Sequence, residues 1–164
     1  MKYLRLFILI VLAFFLALLD AAFFSFISLS GVTIIFSFLA AIIFALIGRF
    51  QDLAAITLAL VIFFSVFASL PVWAIFICFF VLPSLLYYLR LVYFSGQSFL
   101  VSGLFFTLST CAFELILLLH AKEWNSSGFT SLGFFTLYNT IAGMIAYYMV
   151  KQTIKRFSRG EIRL

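Results

Sequence analysis

The sequence predicts an all-α protein, a polytopic integral membrane bundle of six transmembrane helices in one domain, residues 1–164. Hydrophobic residues make up 67% of the chain and charged residues only 9%. Soluble domains are about half apolar and about a quarter charged, so this chain has too few polar side chains to cover a surface in water. The apolar residues form six long runs without the alternation of polar and apolar positions that membrane β-strands show.

Each apolar run has the length that a membrane helix needs. About 20 residues cross the hydrocarbon core of about 30 Å at about 1.5 Å per residue. Pro71 suits the first turn of the fourth helix because it has no N–H to donate, and Pro83 is expected to kink that helix. The predicted spans are residues 3–26, 32–48, 53–70, 72–89, 99–119 and 132–150, and a basic tail, residues 151–164, follows them.

The basic residues predict the orientation. With the N-terminus inside, nine of the ten Lys and Arg residues lie on the cytoplasmic side and only Lys122 lies outside. Both termini are therefore predicted to be cytoplasmic. The basic residues that give the net charge of +5 lie at the ends of apolar runs, and this pattern indicates membrane topology and not a nucleic-acid surface. Five tail residues set this orientation and are candidates for contact with membrane lipids: Lys151, Lys155, Arg156, Arg159 and Arg163.

Four polar side chains inside predicted spans are candidates for a functional cluster: Asp20, Glu114, Tyr138 and Asn139. Ionisable groups at such positions are costly, and each is a functional hypothesis. The predicted spans bring the four to a similar depth in the outer leaflet, where a protonated Glu114 could donate to Asn139 and Asn139 could bridge to Tyr138 or Asp20. Three alternatives stay open: hydrogen bonds that hold the helices in register, a ligand pocket or partner groove, and a proton- or ion-coupled step.

Small residues recur every four positions on the first helix, at Ala13, Ala17 and Ala21. Small side chains at this spacing let two membrane helices approach closely. We therefore expect these three alanines to form a face for a partner helix.

Catalytic and metal-binding patterns are missing from the sequence. It contains one His and five acidic residues, with no zinc-binding helix motif, phosphate-binding glycine loop or nucleophile elbow. Cys78 and Cys111 both lie in apolar runs and are expected to be free, packed side chains. We expect a protein that is not an enzyme and holds no metal or cofactor.

Three stretches resemble the MreD family, small rod-shape-determining membrane proteins of bacteria. They are GVTIIFSFLAAIIFALIGRF at residues 31–50, ASLP at residues 68–71, and LYNT at residues 137–140 followed by an apolar run and basic residues. The resemblance implies a non-catalytic scaffold of the bacterial inner membrane in the cell-wall elongation machinery. It also implies binding to an MreC-like protein and indirect links to the MreB filament and the peptidoglycan synthases.

The fold of that family is similar to the substrate-binding S component of energy-coupling-factor vitamin transporters. This second resemblance implies that the alanine face docks a transmembrane subunit. It also implies that Asp20, Glu114 and Asn139 line an outward-facing vitamin pocket. A third possibility is an orphan membrane bundle without an assigned partner.

Overall fold

The computed structural model describes residues 2–23, 33–67, 70–93, 98–121 and 126–158, and nearly all of these residues are helical. A π-helical turn, Ile77–Val81, joins the fourth and fifth helices into one rod. No β-strand occurs within the described ranges. The helices are α1 (Lys2–Phe23), α2 (Phe36–Ile47), α3 (Phe50–Phe67), α4 (Val72–Phe76), α5 (Leu82–Tyr93), α6 (Phe99–Ala121) and α7 (Ser126–Ser158).

Five helical rods in the described part are long and apolar enough to cross a membrane: α1, α3, the rod from α4 to α5, α6 and α7. Their outward-facing side chains are largely apolar, and Leu100 is 81% exposed and Val66 is 74% exposed. Such surfaces are unfavourable in water and suit lipid. The predicted all-α, multi-pass membrane bundle is confirmed.

Helix α2 is shorter than the predicted second span. It has 12 residues, so it is only about 18 Å long, whereas the hydrocarbon core is about 30 Å thick. Residues 33–35 are not helical, and Ile35 is extended. More than half of α2 is buried, and the helix contacts α1, α3, α5, α6 and α7. This short central helix is the element around which the others pack.

The starts of α1 and α3 meet through an ion pair. Arg5 donates to the carboxylate of Asp52, which lies in the first turn of α3 and is buried. Only Gly48 and Arg49 separate α2 from α3, and the Arg49 carbonyl accepts from the N–H groups of Asp52 and Leu53 at 3.1 and 3.0 Å. The charged residues at this end of the bundle therefore connect helices directly.

The predicted disturbance at Pro83 takes the form of the π-helical turn Ile77–Val81, which ends two residues before the proline. Proline has no N–H for the carbonyl four residues earlier. A single π-turn adjusts the backbone pairing without ending the helix. The fourth predicted span therefore remains one rod, from Val72 to Tyr93.

Helix α7 is longer than predicted at both ends. It begins at Ser126 and reaches Ser158, so it has 33 residues and is about 50 Å long. The tail residues Lys151, Lys155 and Arg156 therefore continue the helix beyond the apolar run. The two remaining tail arginines, Arg159 and Arg163, lie outside the described residues.

The predicted partner face on α1 is wrong for two of its three alanines. Ala13 and Ala17 are 0% and 1% exposed and belong to the hydrophobic core, whereas Ala21 is exposed. Helix α1 packs most extensively along α3. Small side chains allow close approach to any helix, and here Ala13 and Ala17 pack in the interior of the bundle itself.

Candidate functional site

The carboxylate of Asp20, in α1, binds the start of α2. Asp20 is 1% exposed. Its Oδ1 accepts from the backbone N–H of Phe36 at 2.9 Å, and its Oδ2 accepts from the N–H of Ser37 at 2.9 Å and from the Ser37 hydroxyl. The first N–H groups of a helix have no partner within the helix, and that end favours negative charge. Asp20 therefore caps a helix that is distant from it in the sequence.

Asn139, in α7, binds the backbone immediately before α2. Its side chain is fully buried. Oδ1 accepts from the Ile35 N–H at 3.0 Å, and Nδ2 donates to the carbonyl oxygens of Thr33 and Phe135 at 3.1 Å each. Non-helical backbone at membrane depth needs protein partners because lipid supplies none. Asn139 provides them for the extended segment.

The opposite end of α2 is bound by a basic side chain. Arg90, in α5, donates from Nη1 to the Ala45 carbonyl oxygen at 2.9 Å, and its guanidinium lies 5.0 Å from the ring centroid of Tyr87. The last carbonyls of a helix lack partners within it, and that end favours a cation. Helix α2 is thus held at its start by α1 and α7 and at its end by α5.

Glu114 lies at another level of the bundle. It is buried, and its Oε1 accepts from the Ser131 hydroxyl at 3.2 Å. Ser131 comes eight residues before Asn139 on the same helix, a separation of about 12 Å. The predicted contact between Glu114 and Asn139 is therefore wrong. The reason is that α7 begins at Ser126 and not near residue 132, which places Asn139 deeper than its predicted depth.

Tyr138 does not take part in the anchoring of α2. Its half-buried ring stacks on Phe134, with the centroids 6.2 Å apart. Neighbouring residues of a helix point about 100° apart, so Tyr138 faces away from the direction of Asn139. The bonds of Asn139 go to backbone groups, so the predicted bridges from it to Tyr138 or Asp20 are wrong.

Of the four predicted residues, two meet at one place. Asp20 and Asn139 both bind the start of α2, whereas Glu114 and Tyr138 contact other parts of α7. Of the three alternatives for these residues, hydrogen bonds that hold the helices in register fit the contacts of Asp20 and Asn139. We use the name α2 anchors for Asp20, Asn139 and Arg90.

Sequence reasoning missed the partners of these groups. Ser37 and Ser131 were not singled out, although a hydroxyl in an apolar run often bonds to a neighbouring helix. In the sequence, Arg90 is one of the nine basic residues that predict the orientation. The position of Arg90 is a signal of a second role, because helix α5 continues beyond Arg90 to Tyr93.

Phenylalanine rings fill the interior beside the α2 anchors. Phe38, in the first turn of α2, lies 4.5 Å from Phe113, which stacks on Phe135 at 5.8 Å. Phe64 and Phe79 stack at 4.4 Å, and Phe79 contacts Phe38 edge-on at 6.1 Å. All five rings are buried. Stacked and edge-on aromatic pairs add to the stability gained by burial, so this region is a packed core.

Cys78 and Cys111 are both free, as expected. Among the residues that the structure describes, no group of three His, Cys, Asp or Glu side chains could hold a metal ion. Buried polar side chains of the described residues make hydrogen bonds both between elements, as Asp20 and Asn139 do, and to the backbone of their own helix, as Ser109 and Thr110 do.

Comparisons of this chain with protein-family models, with curated proteins and with solved structures give no match.

Proposed function

We propose that this multi-pass membrane protein is a non-catalytic scaffold that acts through contacts of its outer helix faces with other membrane proteins. The observation that carries the proposal is the use of its buried polar groups. Asp20 accepts three hydrogen bonds from groups of the same chain. Asn139 donates both of its Nδ2 hydrogens to backbone carbonyl oxygens of that chain. These side chains support a fixed architecture and leave little capacity for a soluble ligand.

The packing of the interior and of the surface supports the same proposal. The five phenylalanine rings occupy the space next to the α2 anchors. The outer faces carry large apolar side chains, among them Ile62 and Val66 on α3 and Leu104 on α6. Such faces can lie against lipid or pack against the helices of other membrane proteins, so the surface of the bundle is compatible with a scaffold.

The finer proposal places the scaffold in the bacterial cytoplasmic membrane, within the cell-wall elongation machinery. It rests on the resemblance to the MreD family at residues 31–50, 68–71 and 137–140. The partner in this proposal is an MreC-like membrane protein.

The S-component alternative has less support from the geometry. It needs an alanine face open to a transmembrane subunit, and Ala13 and Ala17 are buried in the core. It also needs a shared polar pocket, but Glu114 bonds to Ser131, which lies eight residues before Asn139 on α7, whereas Asn139 bonds to backbone groups.

The test is site-specific photo-crosslinking in the source cells, combined with depletion of the protein. Photo-reactive residues at exposed Ile62 and Leu104 probe two different helices. One of the two is expected to crosslink to an MreC-like protein. Depletion is expected to turn rod-shaped cells round. Unchanged cell shape together with a vitamin retained through purification would overturn the proposal in favour of transport.

A further inference from the structure

An apolar groove lies on the outer side of the bundle where the start of α6 meets the second half of α7. Its volume is about 380 Å³, and its lining is apolar. Several lining residues are strongly exposed, including Phe99 at 66% and Ile145 at 58%. The groove is lined by Phe99, Ile141, Met144, Ile145, Tyr148 and Met149.

Two cationic residues of α7 follow the groove on the same face of the helix. Residues seven or eleven apart in an α-helix lie within about 20° of each other around its axis. Lys155 is seven residues after Tyr148, and Arg156 is eleven residues after Ile145. Both cations are exposed and lie in the last turns of α7, about 10 and about 16 Å along the axis from these lining residues.

We propose that this groove and its two cations form a binding site for one anionic phospholipid. A hydrocarbon chain lies in the groove, and the phosphate is bound at Lys155 and Arg156. The apolar surface of the groove matches an acyl chain, and an exposed guanidinium binds phosphate through paired N–H donors. Basic residues just beyond the apolar part of a membrane helix attract acidic headgroups.

The charge pattern favours a lipid over a second protein helix as the occupant. An apolar helix would fill the groove but would present no anionic group to the exposed guanidinium of Arg156. A phospholipid matches the apolar groove and the cations beyond it together, because its acyl chain and its phosphate follow each other along the membrane normal. This inference concerns the outer surface and is independent of the proposed scaffold function.

The test is native mass spectrometry of the full chain released from nanodiscs that contain equal amounts of phosphatidylglycerol and phosphatidylcholine. The protein is expected to retain one phosphatidylglycerol in preference to phosphatidylcholine. Arg156→Gln is expected to reduce the affinity for phosphatidylglycerol about fivefold, the effect of one basic residue near an acidic headgroup. Ile145→Trp, which fills the groove, is expected to reduce it at least as much.

Two matched controls separate this site from general lipid contact. Arg49→Gln removes an exposed arginine elsewhere, and Ile62→Trp makes the same exchange at an exposed position of α3 that does not line the groove. Both are expected to retain phosphatidylglycerol as the unchanged protein does, and excess inorganic phosphate is expected not to displace it. Equal retention of the two lipids, equal losses in variants and controls, or displacement by phosphate would each overturn the proposal.

Discussion

Asp20 and Arg90 hold opposite ends of the same helix. The carboxylate of Asp20 accepts from the N–H groups of Phe36 and Ser37 at the start of α2, and Arg90 donates to the Ala45 carbonyl near its end. Each charge has the sign that its end of the helix favours. Because α2 is too short to cross the hydrocarbon core, its ends need partners within the protein. The two side chains supply them.

Replacing Asp20 is expected to destabilise the bundle strongly. Asp20→Ala leaves the N–H groups of Phe36 and Ser37 without their acceptor, so we expect the free energy of unfolding to fall by about 3 kcal/mol. Asp20→Asn keeps one acceptor oxygen and should lose less. The measurement is equilibrium unfolding of the full chain from mild detergent. Thr107→Ala, at an exposed hydroxyl bonded within its own helix, is the control, and an equal loss there would contradict the role of Asp20.

Replacing Arg90 tests the other end of α2. Arg90→Met keeps a long apolar stem but removes the donor to Ala45, and we expect a loss of about 2 kcal/mol in the same unfolding measurement. The double variant with Asp20→Ala should show the sum of the two single losses within about 0.5 kcal/mol, because the anchors bind different ends and share no partner. An Arg90→Met protein as stable as the unchanged chain would show that this contact contributes nothing.

Replacing Asn139 should loosen the extended segment before α2. Asn139→Ala removes three hydrogen bonds, two of them to the backbone of Thr33 and Ile35. We expect a loss of about 2 kcal/mol, above the average of about 0.6 kcal/mol for a polar contact between membrane helices. Hydrogen exchange followed by mass spectrometry should show faster exchange at residues 33–37. Thr153→Ala, at an exposed hydroxyl on the same helix, should leave this exchange unchanged; if both variants behave alike, Asn139 is not an anchor.

Two glycines of α7 should respond oppositely to the same substitution. A Cβ at Gly143 would lie 2.5 Å from the ring of Phe106, which is fully buried, whereas a Cβ at Gly133 would meet nothing within 4 Å. Gly143→Ala is therefore expected to cost about 1–3 kcal/mol through overpacking. Gly133→Ala should leave stability unchanged or raise it by up to about 1 kcal/mol, because alanine favours helix. Thermal unfolding of both variants in one detergent gives the comparison, and a tolerated Gly143→Ala would contradict the close packing of α6 on α7.

The sequence predicted the class of the fold and two of the three α2 anchors as residues of interest. Asp20 and Asn139 stand out because each interrupts an apolar run, where a polar group needs a partner. Their partners could not be predicted in the same way. Both side chains bind mainly backbone groups of the segment that begins α2, and every residue has such groups, so no residue type marks them in the sequence.

Errors in helix bounds account for the predicted cluster that did not form. Hydropathy locates the middle of a membrane helix well, but helix ends depend on local hydrogen bonds. A start six residues earlier for α7 separates Asn139 from Glu114. The alanine spacing on α1 likewise predicted close packing correctly, but it could not distinguish a partner protein from α3 of the same chain.

The amino-acid sequence by itself determined that this protein is an all-α membrane bundle, since runs of apolar residues without charges are stable in lipid only as helices with their backbone hydrogen bonds satisfied. Only the tertiary structure decided that α2 is short and that Asp20, Asn139 and Arg90 hold its ends. The physical reason is that a helix end is completed by whichever donors and acceptors the rest of the fold brings within about 3 Å of it.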